Sequence, residues 1–519
     1  CSSDLAKSDT MGDSYESLSG KKGIDGAKHQ LLGYRFEKKL DSGDLTILSE
    51  VFNTTSGDSW RVPVLRGYGD PQTPYSATRN MDTLDKGWHL QARYDWKTAA
   101  GSEASIQGYV DNANALHKVL WGTGIDNTQP YLTTLGGKKT DVDVDFQIRQ
   151  ISGKNDFIWG LGIRYTADEL LLPASPYQIA DGKDKRFTYS AFVNNDYTLV
   201  PEKLKLILGS KFEQDGLTGF NYQPNFRVLW TPSNSDTVWG ALSKSVRALR
   251  RTESDSIIDI FAQDAADFNY RSPAPLPKGA VTAMSRLSPP ADTQPRPEEA
   301  ISLEGGWRKQ VNSNLQFESA LFYNEYKRLR AYHVYEHQPD QTASILQCLL
   351  AGRTNCSMIV AGYTDSSENA KSWGGEVLLN WQAQPWWRIQ TSYSYLKIKP
   401  KLTGDIFSDR QLQMLEQSAQ THQALVTSSM NLSQGVTFDA SARYTSATRH
   451  GQLDGSVYKV PAYTALDARL AWQKNKNIEF AIVGKNLLKS RHTEFFNLVP
   501  NSVPYDVSRS VYLTALWRF

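Results

Sequence analysis

Long hydrophobic runs are missing from this chain. Across 519 residues the mean hydropathy is −0.49, and nowhere do about 18 apolar residues follow one another, the length a membrane-spanning helix needs. A helical membrane protein is thereby excluded. Charge of one sign is missing too: 57 basic side chains meet 55 acidic ones, spread along the chain, for a net charge of +2. Without a basic stripe nothing would release counterions from a nucleic acid, so nucleic-acid binding is not expected. Cysteine is scarce, at three residues, and there is no CxxC, no HExxH and no glycine-rich phosphate loop. No catalytic constellation emerges, so no enzyme is expected and no cofactor is implied. His333 and His337 have the four-residue spacing that ligates metal on a helix. YHVYEH alternates instead like a strand or loop, so no metal site is expected.

Aromatic residues are plentiful, with 25 Tyr, 19 Phe and 14 Trp, rings whose apolar body and polar tip suit a membrane interface. From residue 29 onward the chain breaks into segments of about 10 to 15 residues with period-2 alternation, the pattern of a tilted membrane strand. In VSRSVYLTALWRF, Val511, Leu513, Ala515, Trp517 and Phe519 share one face. Leu466, Ala468, Leu470 and Trp472 alternate with Asp467 and Arg469, and Phe438, Ala440 and Ala442 with Asp439, Ser441 and Arg443. One face suits lipid and the other a wet lumen. About nineteen such strands are expected, from 29–40 through 507–519, with boundaries uncertain by about two to four residues.

The connections alternate between tight turns (DSG, TAAGS, SGKN, VP, PSNSD, VN, QP, SQ, KNK) and long polar stretches. The long ones are 54–85, 112–138, 168–183, 247–297, 330–372, 399–419, 447–460 and 488–506; only the link at 215–218 breaks the rule. Outer-membrane barrels have short periplasmic turns and long extracellular loops, and a sheet in lipid must close because each unpaired backbone group costs several kcal/mol. The expected fold is therefore an all-β, transmembrane antiparallel β-barrel. An odd strand count cannot begin and end in the periplasm, so either a strand is missing at the N-terminus or AYHVYEH, in 330–372, is an extra extended piece. The first residue is Cys1, and no signal peptide follows. Residues 1–28 read as the end of a truncated extracellular loop or a non-native remnant, with a lipidated Cys1 as the alternative, and 29–519 as the barrel.

Several segments resemble, in order, the barrel of TonB-dependent receptors. DTVWGALSKSVRALRR resembles the strand ending in the family's Val-Arg-x-Pro-Ser-Arg corner, and RPEEAISLEGGWRKQVNSNLQFESALFYNEYKRL its Pro-Glu strand and following hairpin. AKSWGGEVLLNWQAQPWWRIQTSYSYLKIK resembles its Gly-x-Glu and Tyr-Ser-Tyr strands, and THQALVTSSMNLSQGVTFDASARYTS, VPAYTALDARLAWQ, FAIVGKNLLKSRHTEF and VYLTALWRF complete the series. The resemblance implies a barrel of roughly 22 strands filled by an N-terminal plug, so that about nineteen of them would be present here and the plug would lie upstream. It further implies import of a scarce nutrient, foremost a ferric siderophore, energised by the TonB complex through that plug, in the outer membrane of a Gram-negative bacterium. Phe519 is similar to the terminal aromatic read by the barrel assembly machinery. Ala248 and Leu249 stand where the family corner has Pro-Ser, and the family's haem signatures are absent. The alternatives are a passive porin or structural barrel, or a receptor for cobalamin or oligosaccharide.

Candidate contacts for a small-molecule chelate lie in the long loops. Arg247, Arg250 and Arg251 carry planar guanidinium groups that suit an anionic chelate, or else face solvent or lipopolysaccharide phosphates. Tyr332, His333, Tyr335 and Arg353 are candidates of the same kind in the next loop. Cys348 and Cys356 lie close together in a polar stretch, as a loop disulfide would, or stay as thiols. Trp386, Trp387 and Trp517 fall at inferred periplasmic strand ends, where an aromatic girdle meeting outer-membrane lipid belongs.

Overall fold

Alternation along the sequence becomes two-sidedness in space in the computed structural model. It describes residues 2–10, 15–16, 26–63, 76–121, 131–171, 177–179, 181–266, 276, 278–288, 296–335, 340–353, 356–404, 406–451, 457–494, 496 and 505–518. All the strands expected from sequence are present, and they form one antiparallel ladder running from Ala27–Leu40 to Ser510–Trp517. Each strand pairs with its neighbour along the chain, or, where a loop carries its own elements, with the next wall strand. Asp236–Arg247 thus pairs with Glu298–Asn312, and Ile478–Lys485 with Ser510–Trp517.

The registers align one apolar face continuously around the wall. Leu513 stands opposite Ile482, Ile482 opposite Leu470, and Leu470 opposite Phe438. Much further along, Leu161 stands opposite Phe146, and Phe146 opposite Ile106. Leu513, Ile482, Leu470, Leu161 and Ile106 are left uncovered, Leu513 by 81%, as is Trp517 by 72%, an apolar surface far beyond what a water-soluble monomer exposes. The opposite face carries Asp143, Arg164, Arg227, Glu318, Glu376 and Arg443. It pairs charge across strands, as in Arg164 to Asp143 at 2.7 Å and Arg469 to Asp439 at 3.6 Å.

Two stretches take a conformation that the sequence did not indicate. Residues 2–10, read as loop or remnant, form a strand antiparallel to Ala27–Leu40, from Ser2 opposite Arg35 to Thr10 opposite Ala27. AYHVYEH gives no extra strand among its described residues: the wall strand Leu315–Val334 takes in its first four, Ala331 to Val334. The strands also run much further than a membrane needs. Gly43–Pro63, Ser76–Lys97, Glu103–Trp121, Tyr131–Ser152 and Cys356–Gln384 all reach deep into stretches read as loops.

Every extension is at one rim, and the other rim keeps tight turns. At one of these, Gly435 adopts φ +78°, and a Cβ there would meet the Gln473 carbonyl oxygen at 2.4 Å, so a left-handed glycine is required. The irregular short link at 215–218 lies at the long-loop rim. Its Asp215 carboxylate accepts the N–H groups of Leu217 at 2.9 Å and Thr218 at 3.2 Å, a side-chain-capped turn that does without a long loop.

Candidate functional site

The long-loop rim folds into a roof. Tyr177–Ile179 pairs with Ser256–Asp264, which pairs with Val281–Ser288, which runs parallel to the start of Cys356–Gln384. These four strands bridge two parts of the wall remote from each other in the ladder, and Ser256–Asp264 also approaches Gly43–Pro63. A crossing from one wall segment to another is the shape of a cover over the lumen. Its small core is formed by Ala265, Ala280, Val281, Ala283, Ile345, Cys356 and Val360. Ile345 comes from the helix α2 (Thr342–Leu350), preceded by the short helix α1 (Arg251–Ser254). Cys348 in α2 is joined by a disulfide to Cys356 at the first residue of its strand, which ties the helix to the roof sheet. A third helix, α3 (Ile406–Ser418), packs on Leu315–Val334, Trp387–Lys401 and Thr448–Gly451.

The three arginines read from sequence take different places. Arg251 is only 6% exposed; its guanidinium donates to the Asp168 carboxylate and the Asp181 carbonyl and lies 3.4 Å from Asp255. It ties the start of the roof to the wall strand Asn155–Leu171. Arg247 meets Glu298 at 2.8 Å and Glu253 at 3.1 Å. Arg250 gives its backbone N–H to Glu253 at 2.8 Å and leaves its side chain exposed. Two residues missed from sequence complete this group. The guanidinium of Arg330 donates to Thr364 Oγ1 at 3.0 Å and lies 3.8 Å from the Glu253 carboxylate. Glu253 faces Arg247 and Arg330 together. Burial pushes its carboxyl upward, but the hydrogen bonds from Arg247 and from the Arg250 N–H outweigh it and hold the group below its usual value.

Tyr332 is enclosed beside Arg330, and burial pushes its phenol above the usual value; its carbonyl accepts the Ser408 hydroxyl at 2.8 Å from α3. His333 stacks on Tyr363 at 5.0 Å and meets Asp365 at 3.1 Å and Ser367 at 3.2 Å. Tyr335 packs at a tilt against the same Tyr363 ring at 5.0 Å. Arg353 follows α2 and is exposed. The structure therefore gathers Arg247, Arg250, Arg330 and Tyr332 around Glu253, and His333 and Tyr335 around Tyr363. Glu253 lies only three residues beyond Arg250, whereas Arg330 reaches it from a strand remote in sequence, and Tyr363 stands on a different strand from His333.

At the opposite rim, Trp386 and Trp387 stack at 6.0 Å, and Trp387 donates to Ser428 Oγ at 2.9 Å. Trp517 is on the outer face opposite Ile478. His337 and Phe519 lie outside the described residues. Between the rims, the inner wall borders a cavity of about 770 Å³ reaching from Ile207 to Arg443, with Arg227, Trp239, Glu318 and Glu376 among its lining. The charged side chains in this lining suit water, a solute or a polar protein segment better than lipid.

A family model for TonB dependent receptor-like β-barrels matches residues 22–487. Among solved structures, the copper transporter OprC superposes with a TM-score of 0.67 at 13% identity, over 100% of this chain and 77% of its own. The siderophore receptor PirA from Acinetobacter baumannii gives 0.65 at 14% identity, over 96% and 71%. The ferric-catecholate import receptor Fiu from K12 E. coli gives 0.64 at 12% identity, over 100% and 77%. A comparison with curated proteins finds no match. At such identities the structural likeness speaks for the fold alone, and it agrees with the family match, the two-sided ladder and the one-sided roof: this chain belongs to the TonB-dependent receptor β-barrel family.

Proposed function

We propose that this chain is the wall and mouth of an outer-membrane importer that captures a ferric siderophore and is energised by the TonB complex through a plug domain. Members of the family sit in the Gram-negative outer membrane. The observation that carries the reading is the roof: a mouth bridged by paired strands and fixed by a disulfide impedes free diffusion, whereas capture before transport needs such an enclosed vestibule. Siderophore receptors among the structural relatives support the same ligand class.

In this reading Arg250 and Arg353, with exposed guanidinium groups, and the His333, Tyr335 and Tyr363 stack contact the chelate. Arg247, Arg251 and Tyr332 shape the mouth. Trp386, Trp387 and Trp517 anchor the inner rim in lipid, and Phe519 is the signal for the assembly machinery.

The test is uptake of a panel of radiolabelled ferric chelates by a strain lacking the gene and complemented with it. Uptake of at least one chelate that a protonophore abolishes is the expected outcome. Accumulation unaffected by the protonophore would indicate a passive pore, and energised uptake of cobalamin or oligosaccharide alone would transfer the ligand assignment. Arg250→Ala combined with Tyr335→Ala is expected to weaken capture about tenfold, the equivalent of one lost charge-assisted contact at about 1.4 kcal/mol.

A further inference from the structure

The mouth also holds a carboxyl that neither the roof nor the candidate chelate contacts use. Glu368 stands opposite Leu329, and the next pair along is Ala331 opposite Asp365, so Ser366 and Ser367 face the single residue Arg330. Such a two-against-one bulge re-aims side chains. Glu368 at its edge is wholly buried, and its Oε2 has no hydrogen-bond partner among the described residues. Against it lies the turn into α3, a helix whose buried residues include Ser408, Leu412 and Met414.

Hydroxyl protons are too few here for a charged Glu368. Ser408 gives its one proton to the Tyr332 carbonyl at 2.8 Å, so its hydrogen bond with Glu368 has to be donated from the carboxyl side. Thr403 Oγ1 lies 3.4 Å from Glu368 Oε1 and 3.3 Å from Asp409 Oδ1, one proton between two carboxyl groups. Asp409 is supplied in addition by the Thr403 N–H at 2.7 Å and the Gly404 N–H at 3.0 Å. A proton on Glu368 therefore completes the hydrogen bond to Ser408 and removes the repulsion from Asp409. Burial, then Asp409, pushes the Glu368 carboxyl above its ordinary value, against smaller opposite pulls from Ser408, His333 and Thr403.

Other charges around α3 are engaged elsewhere or face solvent. His333 meets Asp365 at 3.1 Å and Lys397 meets Glu416 at 2.8 Å, Arg330 is turned to Glu253 and Thr364, and Lys399, Lys401 and Arg449 are exposed. His450, on the strand Thr448–Gly451 that packs on α3, is held below its ordinary value by burial, so acid loosens that side of the helix. We propose that a proton on Glu368 is a latch for α3: with it the helix is clamped against Tyr332, and without it Glu368 and Asp409 repel and residues 403–418 loosen. The clamp is full below about pH 4.5 and weakens as pH rises through the raised value, opposite in sign to the effect of His450. One consequence rests on the importer reading: capture beside Tyr332 and His333 is tighter in acid surroundings.

The full chain, folded into detergent micelles, is to be followed by hydrogen–deuterium exchange and mass spectrometry at pH 5 and pH 8, each rate being divided by the chemical exchange rate at that pH. Amides of 403–418 are expected to be severalfold better protected at pH 5, with the membrane-level wall strands equal at both. Glu368→Gln, neutral throughout and able to donate an N–H to Ser408, should keep the acid level of protection at pH 8. Asp409→Asn should shrink the difference, and His450→Gln should enlarge it. Unaltered heat-dependent gel mobility reports that each variant is folded. Equal protection of 403–418 at the two pH values in both wild type and His450→Gln overturns the latch, as does a difference undiminished in folded Glu368→Gln and Asp409→Asn. No chelate takes part, so a failed latch leaves the importer reading standing and uptake alone decides that.

Discussion

At the scale of single residues, burial at the mouth sets two opposite responses to pH. Glu368 is wholly buried, and its Oε2 has no hydrogen-bond partner. Burial first, then the nearby Asp409 carboxylate, raises its pKa above 4.5. The stability it contributes is therefore full below about pH 4.5 and fades as pH rises through the raised value. His450, buried against Phe496 and hydrogen-bonded to Thr448 at 2.8 Å, has its pKa lowered below 6.5 by burial. Its contribution is full above about pH 6.5 and fades as pH falls through the lowered value. Urea unfolding at pH 5 and pH 8 separates them. Glu368→Gln should gain stability over wild type at pH 8 and much less at pH 5, and His450→Gln should narrow the wild-type loss on acidification. Arg251→Ala is expected to cost about 3 kcal/mol, because it leaves the Asp168 carboxylate enclosed without its partner; Arg250→Ala should cost under about 0.5 kcal/mol.

At the scale of elements, strands were legible where lipid forces alternation. Leu466 to Trp472 could be assigned to faces from sequence because any polar residue on the outer face there meets hydrocarbon. Above the membrane that pressure ends. SSENAKS reads as loop by composition, yet it is part of the strand Cys356–Gln384, held by pairing with Leu315–Val334. The Arg cluster illustrates the same limit for the site. The basic charge was visible at Arg247, Arg250 and Arg251, but the carboxylates that engage two of them, on Glu298 and Asp168, arrive from other strands. Cys348 and Cys356, only eight residues apart, were locally readable. A loop of that length corresponds to about 2.5 kcal/mol of restrained unfolded chain. Reduction should thus expose 340–356 to limited proteolysis while the wall keeps its strand signal in circular dichroism; loss of wall structure on reduction would contradict the local role.

At the scale of the whole molecule, the roof is attached to wall segments far apart along the ladder, by Tyr177–Ile179 on one side and Cys356–Gln384 on the other. In the strand pair Ser256–Asp264 and Val281–Ser288, one edge is therefore occupied along Val281–Ser288 and the other at Ser256–Ile258 by backbone partners. A synthetic peptide copying 256–288 would leave both edges free. Antibodies raised against it should stain denatured protein on a blot and fail to stain intact cells, whereas antibodies raised against folded protein should do the reverse. Cell-surface staining by the anti-peptide serum would mean that the roof lifts off its supports in the living membrane. The same occupied edges make this roof a poor linear epitope, so a vaccine or a diagnostic binder aimed at this mouth has to be selected on the folded barrel.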